Sequence, residues 1–176
     1  MRLNEAVVIP TGSEIRDGTV LDTGSPAVIY SLLCLAPLCT IHRISPVEDD
    51  EDAIRKAVES STGNGVDLVV VIGGSGGGRS FSSSLSEDCT HHALESLLDE
   101  KAGGEIWGKN GHLWCRLVCG RKNGTLVINV PGPHAETKAA IEAFCSSLNK
   151  NGGSLTEINK AMIQAVLARY PENAVE

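Results

Sequence analysis

Residues 66–80 read VDLVVVIGGSGGGRS, and this stretch decides the fold because an apolar run passes directly into a glycine-rich loop. The run Val66–Ile72 is apolar on both faces, which is typical of a central strand in a parallel sheet. Five of the eight residues in Gly73–Ser80 are glycine, so an anion could approach the bare peptide N–H groups closely. The stretch predicts a buried strand that ends in an anion-binding loop.

The glycine-rich loop also has the spacing of a nucleotide-binding P-loop, with Gly73, four residues, Gly78, Arg79 and Ser80. Arg79 stands where that motif requires lysine, and the following FSSS segment does not begin a helix at once, as P-loop geometry requires. We therefore interpret the match as accidental. Arg79 stays a candidate for a phosphate contact, with a solvated loop arginine as the alternative.

The composition excludes several classes of protein. The chain has 176 residues, of which 41% are apolar and 21% charged, which is enough for one domain with a sizeable core. The net charge of −7, with Lys and Arg scattered, argues against a nucleic acid or an anionic membrane as partner. No stretch approaches the roughly 20 apolar residues of a membrane span. The six cysteines include no Cys-x-x-Cys pair, so we expect buried thiols in a cytoplasmic protein.

Apolar patterns along the chain predict alternating strands and helices. The predicted strands are 6–9, 40–44, 66–72, 112–119 and 125–130. The predicted helices are 24–36, 49–61 and 87–100. Two further helices are predicted: one bears Ile141, Phe144 and Leu148, and the other begins with a capping box at Ser154–Glu157. The dipeptide Asn123-Gly124 indicates a hairpin between the last two strands.

This order of elements predicts the α/β class, as a three-layer α/β/α sandwich with a mostly parallel sheet and one antiparallel hairpin. We expect residues 1–150 to form the α/β domain. Residues 151–176 are expected to form a C-terminal helix and tail, packed on this domain or on a neighbouring subunit.

Ligands of open α/β sheets bind beyond the carboxyl ends of the strands, where four loops are expected: 10–14, 44–50, 73–88 and 131–134. Three of these loops carry glycine, and helices begin after them, which favours anions. The residues alone therefore predict a site for a phosphate-bearing small molecule. The alternative is that the glycines only make the loop flexible.

Six short segments lie on or beside these loops: 11-TGSE-14, 22-DTGSP-26, 47-VEDDEDAI-54, 73-GGSG-76, 88-DCTHHA-93 and 130-VPGP-133. In order and spacing they resemble the molybdopterin-binding (MoaB/MogA/MoeA-like) domain family of molybdenum cofactor biosynthesis. The resemblance covers about residues 5–148. It implies the molybdopterin-binding fold and a molybdopterin ligand.

The resemblance also implies roles for individual residues. Asp49 and Asp88 match positions at which adenylyltransferases of the family support magnesium and phosphoryl chemistry, so both are candidate catalytic residues and Mg²⁺ ligands, with ATP as a second substrate. The glycine loop, Gly73, Gly74, Ser75 and Gly76, would hold the molybdopterin phosphate. Thr11, Gly12, Pro131, Gly132 and Pro133 would line the pterin side, and Ser13, Glu14, Asp22 and Arg79 complete the candidate cofactor-binding set.

Three departures from the family pattern keep the activity open. Ser13 stands where the family usually has Asp, and the segment 79–87 lengthens the path from the glycine loop to Asp88. Residues 110–113, NGHL, replace a Pro-Gly-Lys-Pro element of the molybdotransferases, which argues against molybdate insertion. The chain is then an adenylyltransferase-like enzyme, a non-catalytic molybdopterin carrier or sensor, or an unrelated small-anion-binding α/β domain. Self-association is common in the family, so a homo-oligomer is expected.

Structural roles would also explain several of these side chains. Asp49 and Asp50 could simply supply negative charge at a helix N-terminus, and Asp88 and Asp22 could cap helices. Four ring-bearing side chains are expected away from the ligand: His91 and His92 facing solvent, and Trp107 and Trp114 packed beneath the hairpin.

Overall fold

The computed structural model describes residues 3–77, 88–149 and 153–171. The elements, in chain order, are β1 (Glu5–Pro10), α1 (Ser13–Arg16), α2 (Gly24–Leu35), β2 (Thr40–Arg43), α3 (Glu51–Ser60), β3 (Leu68–Ile72), α4 (Thr90–Leu97), β4 (Glu100–Trp107), β5 (Leu113–Lys122), β6 (Thr125–Val130), α5 (His134–Asn149) and α6 (Leu155–Leu167).

The six strands form one sheet in the order β2-β1-β3-β6-β5-β4. Strands β2, β1, β3 and β6 are parallel, whereas β5 runs antiparallel to both of its neighbours. All five residues of β3 are buried, because the strand lies between β1 and β6 and is covered on both faces. The predicted central strand is confirmed.

Side chains that alternate along β3 divide the core into two layers, since successive residues of a strand point to opposite faces. Leu68, Val70 and Ile72 join the layer under α2, α5 and α6. Val69 and Val71 join the layer under α3 and α4. Helices therefore cover both faces, and the predicted three-layer α/β/α class is confirmed.

The sequence prediction was wrong about residues 98–107. The helix expected to run to residue 100 ends at Leu97, and Glu100–Trp107 forms the edge strand β4. This strand contains two glycines, which are rare in strands and hide its pattern. Gly104 is required there, because a Cβ atom would lie 2.8 Å from both Asn159 Oδ1 and Ile163 Cγ1 of α6.

Helix α6 packs on α5 and on β4. Its residues Ile158, Met162 and Val166 are buried in the same layer as α2. The predicted capping box is present: Glu157 N donates to Ser154 Oγ at 3.3 Å, and Ser154 N donates to Glu157 Oε2 at 2.8 Å. The division of the chain at residue 150 stays a prediction.

All six cysteines are free thiols, and four of them are buried, as the sequence indicated. Burial raises the pKa of Cys115, Cys119 and Cys145 to about 12, so these thiols are protonated at neutral pH. Cys34 is exposed on α2, contrary to the expectation. Within the described ranges, no helix has the length and apolar character needed to cross a bilayer.

Candidate functional site

A cleft of about 750 Å³ lies at the carboxyl ends of β1, β3 and β6. It lies where an open α/β sheet places its ligands, and the loops predicted from the sequence form its walls. Twelve of the predicted site residues line it: Thr11, Gly12, Glu14, Asp22, Asp49, Gly73, Gly74, Ser75, Gly76, Asp88, Gly132 and Pro133. Ser13 and Pro131 are adjacent in sequence to lining residues but are not lining residues themselves. Arg79 falls outside the described residues.

The glycine loop after β3 needs glycine at its first two positions. Gly73 and Gly74 have φ angles of +104° and +59°, a conformation that side chains disfavour. A Cβ atom at Gly73 would lie 2.7 Å from Thr11 Oγ1, and one at Gly74 would lie 2.4 Å from Thr90 Oγ1. The loop is therefore packed closely between the end of β1 and the start of α4.

Thr11 bonds to Ile72, the residue that precedes the glycine loop. Its amide donates to Ile72 O at 2.8 Å, and its hydroxyl donates to the same oxygen at 3.0 Å. Gly73 N in turn donates to Val130 O at 3.0 Å, which joins the ends of β3 and β6. The hydroxyl of Thr11 thus fixes the strand ends under the cleft.

Two carbonyl groups of the glycine loop accept hydrogen bonds from the surrounding fold, whereas three of its amides donate none to it. Gly74 O accepts from Thr90 N at 3.1 Å, and Ser75 O accepts from Arg116 N at 2.7 Å. The N–H groups of Gly74, Ser75 and Gly76 donate no hydrogen bond to any other residue that the structure describes. These three consecutive residues line the cleft, and backbone amides without a protein acceptor suit an anion.

Asp88 lies against the glycine loop and not at the helix cap. Helix α4 begins at Thr90 with Cys89 as its N-cap residue. A Cβ atom at Gly76 would lie 2.9 Å from Asp88 Oδ2, so the glycine allows the carboxylate to approach the loop. The possible capping role of Asp88 is therefore not observed, and the carboxylate lines the cleft.

Asp49 and Asp50 have different roles in the structure: one lines the cleft and the other caps α3. Asp50 caps α3, because its Oδ1 accepts from Ala53 N at 2.8 Å. Asp49 instead lines the cleft, and its Oδ2 accepts from Ser13 N at 3.1 Å. Asp49 thus connects the loop after β1 with the loop after β2.

Asp22 is held by two partners at the rim of the cleft. Its Oδ1 accepts from Ser25 N at 2.8 Å, and its Oδ2 pairs with Arg43 at 2.7 Å. Burial alone would raise the pKa of Asp22, but the hydrogen bonds from Ser25 and the charge of Arg43 outweigh it and lower this pKa below its ordinary value. The carboxylate fixes the loop that leads into α2.

We expect Asp22→Asn to lower the free energy of unfolding at pH 7 by about 1–3 kcal/mol, because it removes a charge-assisted pair. A carboxyl with a lowered native pKa contributes stability above its unfolded pKa and loses it as pH falls through the native pKa. The difference between variant and wild type should therefore shrink below about pH 4. Urea unfolding across pH 3–7 measures this, with exposed Asp17→Asn as control; a difference independent of pH would contradict it.

Two sequence expectations about ring-bearing side chains were wrong. His91 is 2% exposed, and burial, with His92 beside it, lowers its pKa to about 4. Its Nδ1 lies 3.4 Å from Gly74 O, so a neutral imidazole supports the glycine loop from behind. Trp114 lines the cleft, whereas Trp107 is 41% exposed on β4. His92 is exposed, as expected.

Other lining residues were not predicted as site residues, among them Trp114, His134, Glu136 and Tyr170. Glu136 follows Pro133 by three residues, so the position of the Pro-Gly-Pro loop could have indicated it. Tyr170 lies far along the chain, and only the packing of α6 on α5 brings it to the cleft. No local signal in the sequence identifies such a residue.

The cleft is acidic. Its described lining includes five carboxylates, Glu14, Asp22, Asp49, Asp88 and Glu136, and no Lys or Arg. Among residues 3–77, 88–149 and 153–171, no group of three or more His, Cys, Asp or Glu side chains is arranged to hold a metal ion.

The structure defines a three-layer α/β/α domain with a glycine-lined cleft at its strand ends, where proteins of this class bind their ligands. A family model described as "Probable molybdopterin binding domain" matches residues 7–150, and the chain belongs to this family. The family membership confirms the resemblance found in the sequence, a pterin-type ligand and a role in molybdenum cofactor biosynthesis. Comparison with curated proteins gives no match.

Solved structures share the fold at low sequence identity. The molybdopterin biosynthesis enzyme MoaB from Thermus thermophilus is 20% identical, with a TM-score of 0.61 over 90% of this chain and 98% of that chain. A molybdopterin biosynthesis protein from Mycobacterium abscessus is 22% identical, with a TM-score of 0.63 over 94% and 98%. The tungsten cofactor synthesizing protein MoaB from Pyrococcus furiosus is 19% identical, with a TM-score of 0.61 over 85% and 95%.

Proposed function

We propose that this chain binds molybdopterin in the cleft and transfers an adenylyl group to it from ATP with the help of Mg²⁺. The observation that carries the proposal is a combination within one cleft: three unused amides of the glycine loop, and the carboxylates of Asp49 and Asp88. Amides suit a phosphate, and carboxylate oxygens suit Mg²⁺. Family membership supports the pterin, and the acidic lining supports the cation.

The glycine loop would bind the phosphate of molybdopterin. Gly74, Ser75 and Gly76 would donate their amides to its oxygens, and the N-terminus of α4, joined to the loop through Thr90 N and Gly74 O, adds its positive end. The carbonyl groups of Gly74 and Ser75 already accept hydrogen bonds from Thr90 N and Arg116 N, which holds this part of the loop in place. Thr11, Gly12, Gly132 and Pro133 would line the pterin side, as the resemblance implies.

Asp49 and Asp88 would hold Mg²⁺, and the donor set fits that ion because both groups are hard oxygen ligands. The bound ion would neutralise charge on the phosphates. In the proposed reaction an oxygen of the molybdopterin phosphate forms a bond to the α-phosphorus of ATP, and the bond from that phosphorus to pyrophosphate breaks. The contribution of the chain is to position the two substrates and to keep their charges balanced.

A direct assay tests the proposal. Purified protein is incubated with molybdopterin, ATP and Mg²⁺, and adenylylated molybdopterin and pyrophosphate are measured by chromatography. We expect both products in equal amounts and neither without Mg²⁺. Binding of molybdopterin without any product would reject the transferase, and absence of binding would favour an unrelated anion ligand.

A non-catalytic carrier or sensor is the second candidate, and one contact favours it. Asp49 already accepts a hydrogen bond from Ser13 N, at a position where the family usually has Asp in place of Ser13. If Asp49 serves mainly to join two loops, molybdopterin binds without turnover. The same assay distinguishes this candidate, because a carrier binds molybdopterin equally well with and without ATP.

Self-association is also proposed. The helix α2 has no charged residue, and apolar side chains on and after it are exposed: Tyr30 by 71%, Leu33 by 40% and Leu38 by 93%. Exposed apolar groups of this kind are typical of protein interfaces. We expect light scattering to give a multiple of 18.5 kDa and Leu38→Asp to lower the mass; a wild-type protein of 18.5 kDa at all concentrations would contradict this.

A further inference from the structure

Trp114, Glu136 and Tyr170 form a second wall of the cleft, which we call the aromatic wall. Trp114 lies on β5, Glu136 lies in the first turn of α5, and Tyr170 follows α6. Tyr170 lies beyond residues 7–150, the part of the chain that matches the family model. None of the three belongs to the segments that carry the family resemblance.

The members of the aromatic wall are in contact with each other. The Tyr170 hydroxyl donates to Glu136 Oε2 at 3.0 Å. The rings of Trp114 and Tyr170 meet edge to face, with centroids 4.9 Å apart and planes inclined by 65°. Behind Trp114 lies Gly108, where a Cβ atom would be 2.6 Å from the indole. The indole is therefore fixed between Gly108 and Tyr170.

The C-terminal segment brings Tyr170 to this position by packing. Ile158 and Met162 of α6 are buried in the core, so the end of α6 is fixed relative to α5. The chain then turns, with Arg169 N donating to Val166 O at 2.8 Å and Tyr170 N donating to Leu167 O at 3.1 Å. The position of Tyr170 thus depends on the core and not on a free tail.

Both oxygens of Glu136 can accept further hydrogen bonds, because the bond from Tyr170 uses one lone pair of Oε2. Within the described residues, Tyr170 is the side chain that hydrogen-bonds to it. Burial raises the pKa of this carboxyl, and the bond from Tyr170 opposes the rise. A half-buried carboxylate beside two aromatic rings suits a flat heterocycle that presents N–H donors along one edge.

We propose that the aromatic wall recognises the pyrimidine edge of a pterin, with the Glu136 carboxylate accepting from the ring N–H and the 2-amino group. Tyr170 orients the carboxylate, and the rings of Trp114 and Tyr170 pack against the heterocycle. This inference rests on the proposed function and adds to it a determinant of ring specificity. The glycine loop would hold the phosphate, and the aromatic wall would identify the ring.

The chemistry of the ring predicts a specific discrimination. The 2-amino-4-oxo edge of a pterin presents two adjacent donors, which match the two oxygens of a carboxylate as the fork of an arginine does. A lumazine has an oxygen on carbon 2 of the ring in place of the amino group of a pterin. It therefore presents a hydrogen-bond acceptor, not a donor, to the carboxylate. Glu136 should therefore favour a pterin over the matching lumazine.

Two phosphate esters that differ only at this carbon test the inference: those of 6-hydroxymethylpterin and 6-hydroxymethyllumazine, titrated with Mg²⁺ by ligand fluorescence. We expect the wild type to bind the pterin ester roughly 10-fold to 100-fold more tightly, as for a hydrogen bond to a charged group. Glu136→Gln should reduce the preference to less than about threefold. Tyr170→Phe should reduce it partly, because the rings remain but the carboxylate loses its orienting bond.

Glu142→Gln is the matched control, since Glu142 lies on the same helix with an exposed side chain. This variant should keep the wild-type preference. Equal affinity of the wild type for the two esters would overturn the inference. This measurement needs no substitution, so it decides the question even if a variant folds poorly. An unchanged preference in Glu136→Gln would overturn it too, while retained ester binding would leave the proposed function standing. Failure of the wild type to bind either ester or molybdopterin would reject both.

Discussion

Asp88→Asn is expected to lower the rate of adenylyl transfer by roughly 10²–10³-fold while molybdopterin still binds. The substitution keeps the shape of the side chain but removes the charge that would hold Mg²⁺ beside the phosphates. Binding should persist, because the amides of Gly74, Ser75 and Gly76 are unaffected. Single-turnover product formation measures the rate, and fluorescence titration measures the affinity.

Asp52→Asn provides a control for this substitution. Asp52 is exposed on α3 and pairs with Arg55 within the same helix, so its replacement should leave both quantities unchanged. Wild-type turnover in Asp88→Asn would contradict the assignment of the catalytic position. The catalytic group would then have to come from another residue, and the correspondence between this chain and the family between residues 76 and 90 would need revision.

Gly74→Ala should reduce the affinity for molybdopterin by two orders of magnitude or more. Alanine at a φ angle of +59° costs about 1–2 kcal/mol, and its Cβ atom would lie 2.4 Å from Thr90 Oγ1. Relief of that contact requires the loop to move away from α4, which displaces the three amides together. Since all three amides are proposed to donate to the same phosphate, the losses should combine. Isothermal titration with molybdopterin measures the change.

Gly65→Ala is the control for Gly74→Ala, because it introduces the same kind of backbone strain at a position outside the cleft. Gly65 has a φ angle of +90° with no atom within 4 Å of an added Cβ, and it is not a lining residue of the cleft. The substitution should therefore lower the melting temperature and leave the affinity for molybdopterin unchanged. If Gly74→Ala bound molybdopterin as tightly as Gly65→Ala does, the glycine loop would not be the phosphate site.

The part of the fold that follows from local patterns could be predicted from the sequence. The apolar run 66–72 and the glycines after it predicted both β3 and the loop that it presents, because each signal depends on neighbouring residues only. The edge strand β4 was missed for the opposite reason. Gly104 of this strand makes room for α6, which comes more than 45 residues later in the chain, so no local pattern in the sequence indicates the contact.

In the candidate site, too, contacts between distant parts of the chain could not be predicted from the sequence. The loops at the strand ends were predicted, but the sequence could not decide which of Asp49 and Asp50 caps α3, because both residues precede the helix. Nor could it indicate that His91 is buried against Gly74 O or that Tyr170 reaches Glu136. Such contacts depend on how helices pack on the sheet, and the structure supplies them.

The binding of a phosphate by the amides of Gly74, Ser75 and Gly76 is tested most directly by nuclear magnetic resonance. The ¹⁵N-labelled protein is titrated with molybdopterin and Mg²⁺, and with the dephosphorylated pterin as comparison. We expect large downfield shifts of these three amide protons with the phosphorylated ligand and small ones without the phosphate. Saturable binding of molybdopterin that leaves the three amide signals in place would contradict the proposed site.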